Sequence, residues 1–182
     1  MKRSKGILAI FLAAAMIFCL CSCSSSRAKQ LTSLMSEEST KIEEQSTEII
    51  RCLTEGDKEG FRSLFCSQVR QSDTFSQEID DIFDFFSCEI YIKSEIDDSA
   101  SGGTSSYMGK RTKWYVTPEI TYIEVLEYVD ENSEELTRRY YGVLYYWEII
   151  NTEHPELEGL HYLTINLLNT ENAVEIGTYE WT

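Results

Sequence analysis

The sequence predicts an α+β domain, with helices first and an antiparallel sheet after them. Three observations carry this. The aromatic residues are segregated: all eight Phe lie at or before Phe86, and all eleven Tyr and three Trp lie at or after Tyr91. Tyr and Trp suit pleated, half-buried surfaces. The apolar period changes from helical to alternating at Cys88, and turn-forming clusters then separate the alternating runs, as hairpin-linked strands require.

The elements follow in chain order. Lys2, Arg3 and Lys5 precede an apolar run from Ile7 to Leu20. That run is too short to span a bilayer comfortably and reads as a removable signal over 1–22. The step Leu20-Cys21-Ser22-Cys23 resembles the bacterial lipobox, with Leu three positions before the acceptor and a small residue directly before it. The resemblance implies export, cleavage before Cys23, attachment of diacylglycerol and palmitate there, and anchoring by acyl chains at the extracytoplasmic face of the cell membrane. A Cys-rich secretory signal without lipid is the alternative reading. Residues 23–36 then form the lipidated Cys and a polar tether, and 37–182 a single domain.

The chain carries a formal net charge of −15 over 182 residues. Removing the signal takes away three cations and no acid, so the exported part is more acidic still. Such a surface repels phosphate, which argues against nucleic acid as a partner. Three Cys remain in the domain, Cys52, Cys66 and Cys88. They allow at most one disulfide, have no C-x-x-C spacing, and lie in apolar patterns that suit buried thiols. With two His in the chain and no paired ligand spacing, no zinc site and no cofactor are expected.

Ile42, Ile49 and Leu53 recur at helical spacing between Ser36 and Glu55, with Glu37, Glu38, Glu43, Glu44 and Glu48 on the wet side. Gly56 stops this helix and Asp57 caps the next, over 58–69, which carries Phe61, Leu64, Phe65 and Val69. A third helix runs from Ser72-Asp73-Thr74 to about Ser87, with Phe75, Ile79, Ile82, Phe83 and Phe86 on one face. Ile90, Ile92 and Ile96 then alternate as a half-buried strand. Residues 97–110, rich in Ser, Gly and Asp, read as a long polar loop. Strands follow at about 111–116, 119–130, 135–150, 159–169 and 173–181, with Pro118 at a bend between two of them. The expected architecture is three helices packed on a curled antiparallel sheet of five to six strands.

The helices, the step Thr54-Glu55-Gly56-Asp57-Lys58-Glu59-Gly60-Phe61-Arg62-Ser63-Leu64-Phe65 and the curled meander resemble the cystatin-like superfamily that includes the nuclear-transport-factor-2-like and SnoaL-like cones. The lipobox, the three helices, Phe85-Phe86 before a strand and the Gly-Gly loop resemble, more narrowly, clostridial-type lipoproteins of domain-of-unknown-function family 5104. The resemblance implies a fold and a location and no activity. It also implies homodimerisation through the convex face of the sheet, as is common in that superfamily.

In cone folds the ligand cavity lies between the helices and the concave face of the sheet. Strand parity places Ile123, Val125, Tyr141, Val143, Tyr145, Trp147, His161, Leu163, Ile165, Leu167, Val174 and Ile176 on that face. Tyr141, Tyr145, Trp147 and His161 are therefore the candidate pocket residues, with a filled aromatic core as the alternative. The same parity sends Glu124 and Glu148 to the opposite face, away from His161. Asp80 and Asp84 stand one helical turn apart but lack the loop of a calcium site, so a solvated face is expected. Gly103 to Arg111 fails the phosphate-loop spacing. No catalytic set stands out.

The function that follows is a lipid-anchored, extracytoplasmic binding or interaction module for an unknown small molecule or envelope protein. The alternative is a SnoaL-like enzyme in which a cavity His or acid transfers a proton. That alternative needs His161 in a cavity, within hydrogen-bond reach of a carboxylate.

Overall fold

A computed structural model describes residues 33–129 and 134–178. The signal, Cys23 and most of the tether lie outside the described residues, as does most of the 130–134 turn. Two compact units divide at Lys41 and Ile42. Of the first, residues 33–41 are described and are helical. Among the described residues, no helix is long and apolar enough to cross a membrane.

The second unit is α+β. Its helical residues begin at Ile42, in the helical run over 33–55 (α1). Then come α2 (Lys58–Ser63), α3 (Ser67–Arg70) and α4 (Phe75–Phe85). The strands are β1 (Ile90–Tyr107), β2 (Lys110–Tyr128), β3 (Leu136–Asn151), β4 (Gly159–Leu167) and β5 (Ala173–Gly177), with a short 3-10 turn at Pro155–Leu157. They form one five-stranded, curled, open antiparallel sheet in the order β1-β2-β3-β4-β5.

In α1, Ile42, Ser46, Ile49 and Leu53 are buried at alternating spacings of four and three, the stripe expected of a helix lying on a core. Ser46 is a polar residue within that stripe. Its hydroxyl meets the Tyr145 hydroxyl at 2.8 Å, and both side chains are fully buried. Each therefore satisfies the other's hydrogen-bonding group, which would otherwise be costly to bury. Gly56 ends α1 with φ +68, a left-handed conformation that glycine adopts freely. Asp57 then caps α2 by accepting from the Gly60 N–H at 2.8 Å.

The stretch expected as one helix over 58–69 is two, so four helices precede the sheet. The break falls at Phe65, which forms an isolated parallel bridge with Leu160. The Cys66 N–H donates to the Leu160 carbonyl and the Leu160 N–H to the Leu64 carbonyl, at 3.0 and 2.9 Å. Continuing the helix would leave the free edge of β4 unpaired there, since β5 pairs only with 162–166. The short extended step completes that edge.

The polar loop expected over 97–110 is also corrected. β1 runs through it to Tyr107, and a two-residue turn, Met108-Gly109, leads into β2. Both turn residues have positive φ, 50° and 77°, the signature of a tight hairpin whose twist matches its strands. Gly102 and Gly103 do not break the strand. They lie opposite Val116 and Tyr115, and a Cβ on Gly103 would stand 2.6 Å from the Tyr115 hydroxyl. Glycine here admits a close neighbour. The two strands expected at 111–116 and 119–130 are accordingly one, and Pro118 sits within β2 at the register shift against β1, between Thr117 and Glu119.

The main core joins Ile49, Leu53, Phe61, Phe65, Phe75, Ile79, Ile82 and Phe86 to Ile120, Ile123, Val125, Tyr141, Val143, Tyr145, Leu160, Leu163, Ile165 and Ile176. A smaller cluster joins Ile42 to Trp114 and Val116. Among the described residues the thiols of Cys52, Cys66 and Cys88 are free, with no disulfide between them.

Candidate functional site

The four candidate pocket residues separate. Tyr141 and Tyr145 are buried in the main core, and Trp147 packs partly buried between the two clusters. None of the three lines either of the two clefts described below. His161 does line one, on the other side of the sheet from Tyr145.

The cause is a bulge. Tyr146 pairs with Tyr162 but Trp147 pairs with Leu160, so His161 is an extra residue in β4. Leu160 and Leu163 both face the core, and His161 turns outward. Its ring meets the Tyr146 ring edge-on at 5.4 Å. Glu148 follows Tyr146 by two residues in β3, so plain alternation keeps it on the face that Tyr146 occupies. One bulge thus brings together residues that simple parity keeps apart, and bulges commonly re-aim side chains in this way.

His161 Nε2 lies 2.7 Å from the Leu157 carbonyl and 3.4 Å from Glu148 Oε2. A carbonyl only accepts, so Nε2 carries the proton and Nδ1 is the basic nitrogen. Glu148 is 3% exposed. Its Oε1 accepts from Asn151 Nδ2 at 2.8 Å and has Lys113 Nζ at 3.9 Å. A buried carboxylate needs such partners. Cys66 comes beside these groups through its backbone, whose N–H donates to the Leu160 carbonyl at 3.0 Å. Burial pushes the Cys66 thiol up, but the nearby His161 imidazole and the Val69 and Gln68 amides outweigh it and hold the thiol below its usual range. No capping bond of full geometry closes between that sulfur and α3. Burial likewise opposes a charged His161, but Cys66, the Leu157 carbonyl and Glu148 together raise it.

These groups line a cleft of about 320 Å³ at the end of β5. Lys113, Tyr146, Glu148 and His161 stand on the sheet side, with Leu157 from the 3-10 turn. Gln68, Val69, Ser72, Thr74 and Glu78 come from α3, α4 and the turn between them. Glu78 holds the far wall, accepting from Thr74 Oγ1 at 2.6 Å and from the Gly177 N–H at 3.1 Å. A volume of this size falls at the small end of ligand sites, and convergent polar groups beside apolar walls are what such sites present.

A second cleft, of about 340 Å³, lies at the irregular part of β1 and is lined by Asp97, Ser99, Ala100, Ser101, Thr117, Glu119 and Leu144. It offers carboxylates and hydroxyls but no base or thiol. Asp80 pairs with Lys58 at 2.7 Å and Asp81 accepts from Gln77 at 2.7 Å. Among the described residues, no group of three His, Cys, Asp or Glu is placed to hold a metal ion. The basic residues near the hairpin are engaged: Arg111 stacks 4.0 Å over Trp114, Arg138 meets Glu124 at 2.8 Å and Arg139 meets Glu127 at 2.6 Å.

Sequence reasoning considers Glu148 but places it on the face opposite His161, and it does not single out Lys113 as a site residue. Gly159, which opens β4 with φ +128, lets the Cys66 backbone come close: a Cβ there would stand 2.7 Å from the Cys66 nitrogen.

The family described as Domain of unknown function (DUF5104) matches residues 48–173. That span is well over half of the chain, and the chain belongs to this family. It includes Cys66, Lys113, Glu148 and His161. No curated protein matches the chain.

Proposed function

We propose that the chain is an extracytoplasmic binding module with a cystatin-like cone fold, held to the cell membrane by lipid on Cys23. Its ligand is a small polar molecule, and its site is the cleft of His161, Glu148 and Lys113. The lipobox-like step Leu20-Cys21-Ser22-Cys23 supports the anchor. The observation that carries the site is the convergence of an imidazole, a buried carboxylate and an ammonium on one cleft of about 320 Å³. The space between helices and sheet is instead filled by Tyr141, Tyr145 and their neighbours.

The test is a thermal-shift screen of small polar metabolites against the full chain in detergent. Compounds that stabilise the wild type are expected to lose that effect in Lys113→Met and His161→Gln. Stabilisation that survives both substitutions would move the site elsewhere.

One observation favours a second reading, proton transfer: His161 Nε2 stands 3.4 Å from Glu148 Oε2 in an open cleft. Recovering a bound compound after incubation separates the two. An unchanged compound means binding. A compound isomerised by the wild type and left intact by His161→Gln means catalysis.

A further inference from the structure

We propose that the tip of the β1–β2 hairpin docks on an anionic phospholipid surface, with Tyr107 and Met108 entering the headgroup layer and Lys110 beside its phosphates. The docking rests on the membrane anchor proposed above, which brings the surface within reach, and adds to it a second, oriented contact.

The tip is apolar where a turn needs no apolar residue. Met108 is 86% exposed and Tyr107 68%. Met108 has φ 50 and Gly109 φ 77. A turn with two positive φ values favours Asn or Asp before Gly, and a long side chain there is disfavoured. Hairpin formation alone therefore does not account for Met108. β3 ends at Asn151, opposite Lys113, so Tyr107 to Lys110 lie beyond the end of the neighbouring strand and form a projecting edge. Tyr suits the boundary between headgroups and acyl chains, where its ring is apolar and its hydroxyl wet.

Charge singles out the same hairpin. The chain has 31 Asp and Glu residues, yet none lies between Asp98 and Glu119. That stretch holds Lys110, Arg111 and Lys113. Lys110 is exposed beside the turn, Arg111 stacks over Trp114, and Lys113 lines the cleft. The opposite end of the sheet carries Glu134 and Glu135 before β3 and Glu171 between β4 and β5. An anionic surface thus attracts the hairpin end and repels the other. The chain leading from Cys23 enters the second unit at Ile42, which is buried against Trp114 and Val116 of the same hairpin. The anchor therefore pulls on the part of the domain that carries the tip.

The test reconstitutes the full chain in nanodiscs of phosphatidylcholine, with phosphatidylglycerol and without. NMR reads the broadening of backbone amides by a gadolinium-chelating lipid in the disc. The amides of Tyr107, Met108, Gly109 and Lys110 are expected to broaden while those of Thr170 and Glu171 stay sharp, and the contrast should shrink without phosphatidylglycerol. Met108→Asn supplies the residue the turn favours, so it should keep the fold and lose the tip broadening. Lys110→Gln is expected to lower the ratio of docked to undocked tip about fivefold. Tip amides no broader than those of Thr170 and Glu171, or broadening that persists in Met108→Asn, overturns the proposal. Tip resonances that shift with protein concentration in detergent, and not with discs, overturn it too and give the tip to a second copy. Mass spectrometry of the N-terminal peptide reads the anchor separately. Lipid on Cys23 with a sharp tip overturns the docking and keeps the anchor, whereas a broadened tip without that lipid keeps the docking and overturns the anchor.

Discussion

Replacing Phe61 with Ala is expected to lower the unfolding free energy by about 3–5 kcal/mol, the usual cost of removing a large aromatic side chain from a packed core. Phe61 is fully buried. It stacks edge-to-face on Phe65 at 5.5 Å and on Phe83 at 5.4 Å, each contact adding to plain area burial. These contacts join α2 to the extended step beside β4 and to α4. Because α2 is only six residues long, it has little stability of its own and depends on this anchor. Urea unfolding followed by circular dichroism measures the loss. Met108→Ala, at an 86% exposed hairpin tip, is the control and should change stability by less than about 0.5 kcal/mol. A Phe61→Ala loss of similar size would mean that α2 is not held by this cluster.

Gly177→Ala is expected to cost about 3 kcal/mol and to disturb the cleft at the same time. Gly177 has φ +78, a region that side chains disfavour, and a Cβ there would overlap the His161 carbonyl. That contact is backbone against backbone, so no side-chain rotation relieves it. Either the end of β5 leaves its pairing with Tyr162, or the His161 backbone moves. The first also releases the Gly177 N–H from Glu78. Urea unfolding reads the stability. The His161 ring resonances, read by NMR, should shift in Gly177→Ala even though its side chain is untouched. An Ala variant as stable as the wild type, with unmoved His161 resonances, would contradict this account of how the cleft is closed.

Much of the fold was legible because a few physical signals are strong. The move from Phe to Tyr and Trp and the period change at Cys88 mark the helix-to-sheet boundary, and β1 begins at Ile90. Parity found the core face of the sheet: Ile123, Val125, Tyr141, Val143, Tyr145, Leu163, Ile165 and Ile176 are all buried. What misled was local composition read without its partner strand. Gly102 and Gly103 suggest a loop, yet they are glycine because Tyr115 and Val116 press on them. Leu64, Phe65 and Val69 carry helical spacing, yet the free edge of β4 draws the chain out of the helix at Phe65.

The site was legible only in part. His161 stood out as a histidine on a strand, and the need for a carboxylate beside it followed from its chemistry. Glu148 was set aside because alternation assigned it to the other face. That face was right for Glu148; it is His161 that one extra residue in β4 turns to join it, and nothing in the residue types at 160–162 announces a bulge. Cys66 comes beside β4 only because the step at 64–66 pairs with Leu160, a long-range contact that periodicity does not encode.

The central claim is that the cleft at His161, and not the interior between helices and sheet, receives the ligand. Chemical-shift mapping by NMR, with the compound that most stabilises the full chain, tests it most directly. The account predicts that the amides of Gln68, Lys113, Glu148, His161 and Gly177 move together and saturate at one concentration, while Tyr141, Tyr145 and Trp147 stay in place. Shifts centred on Tyr141, Tyr145 and Trp147, with His161 unmoved, would contradict it and return the site to the interior.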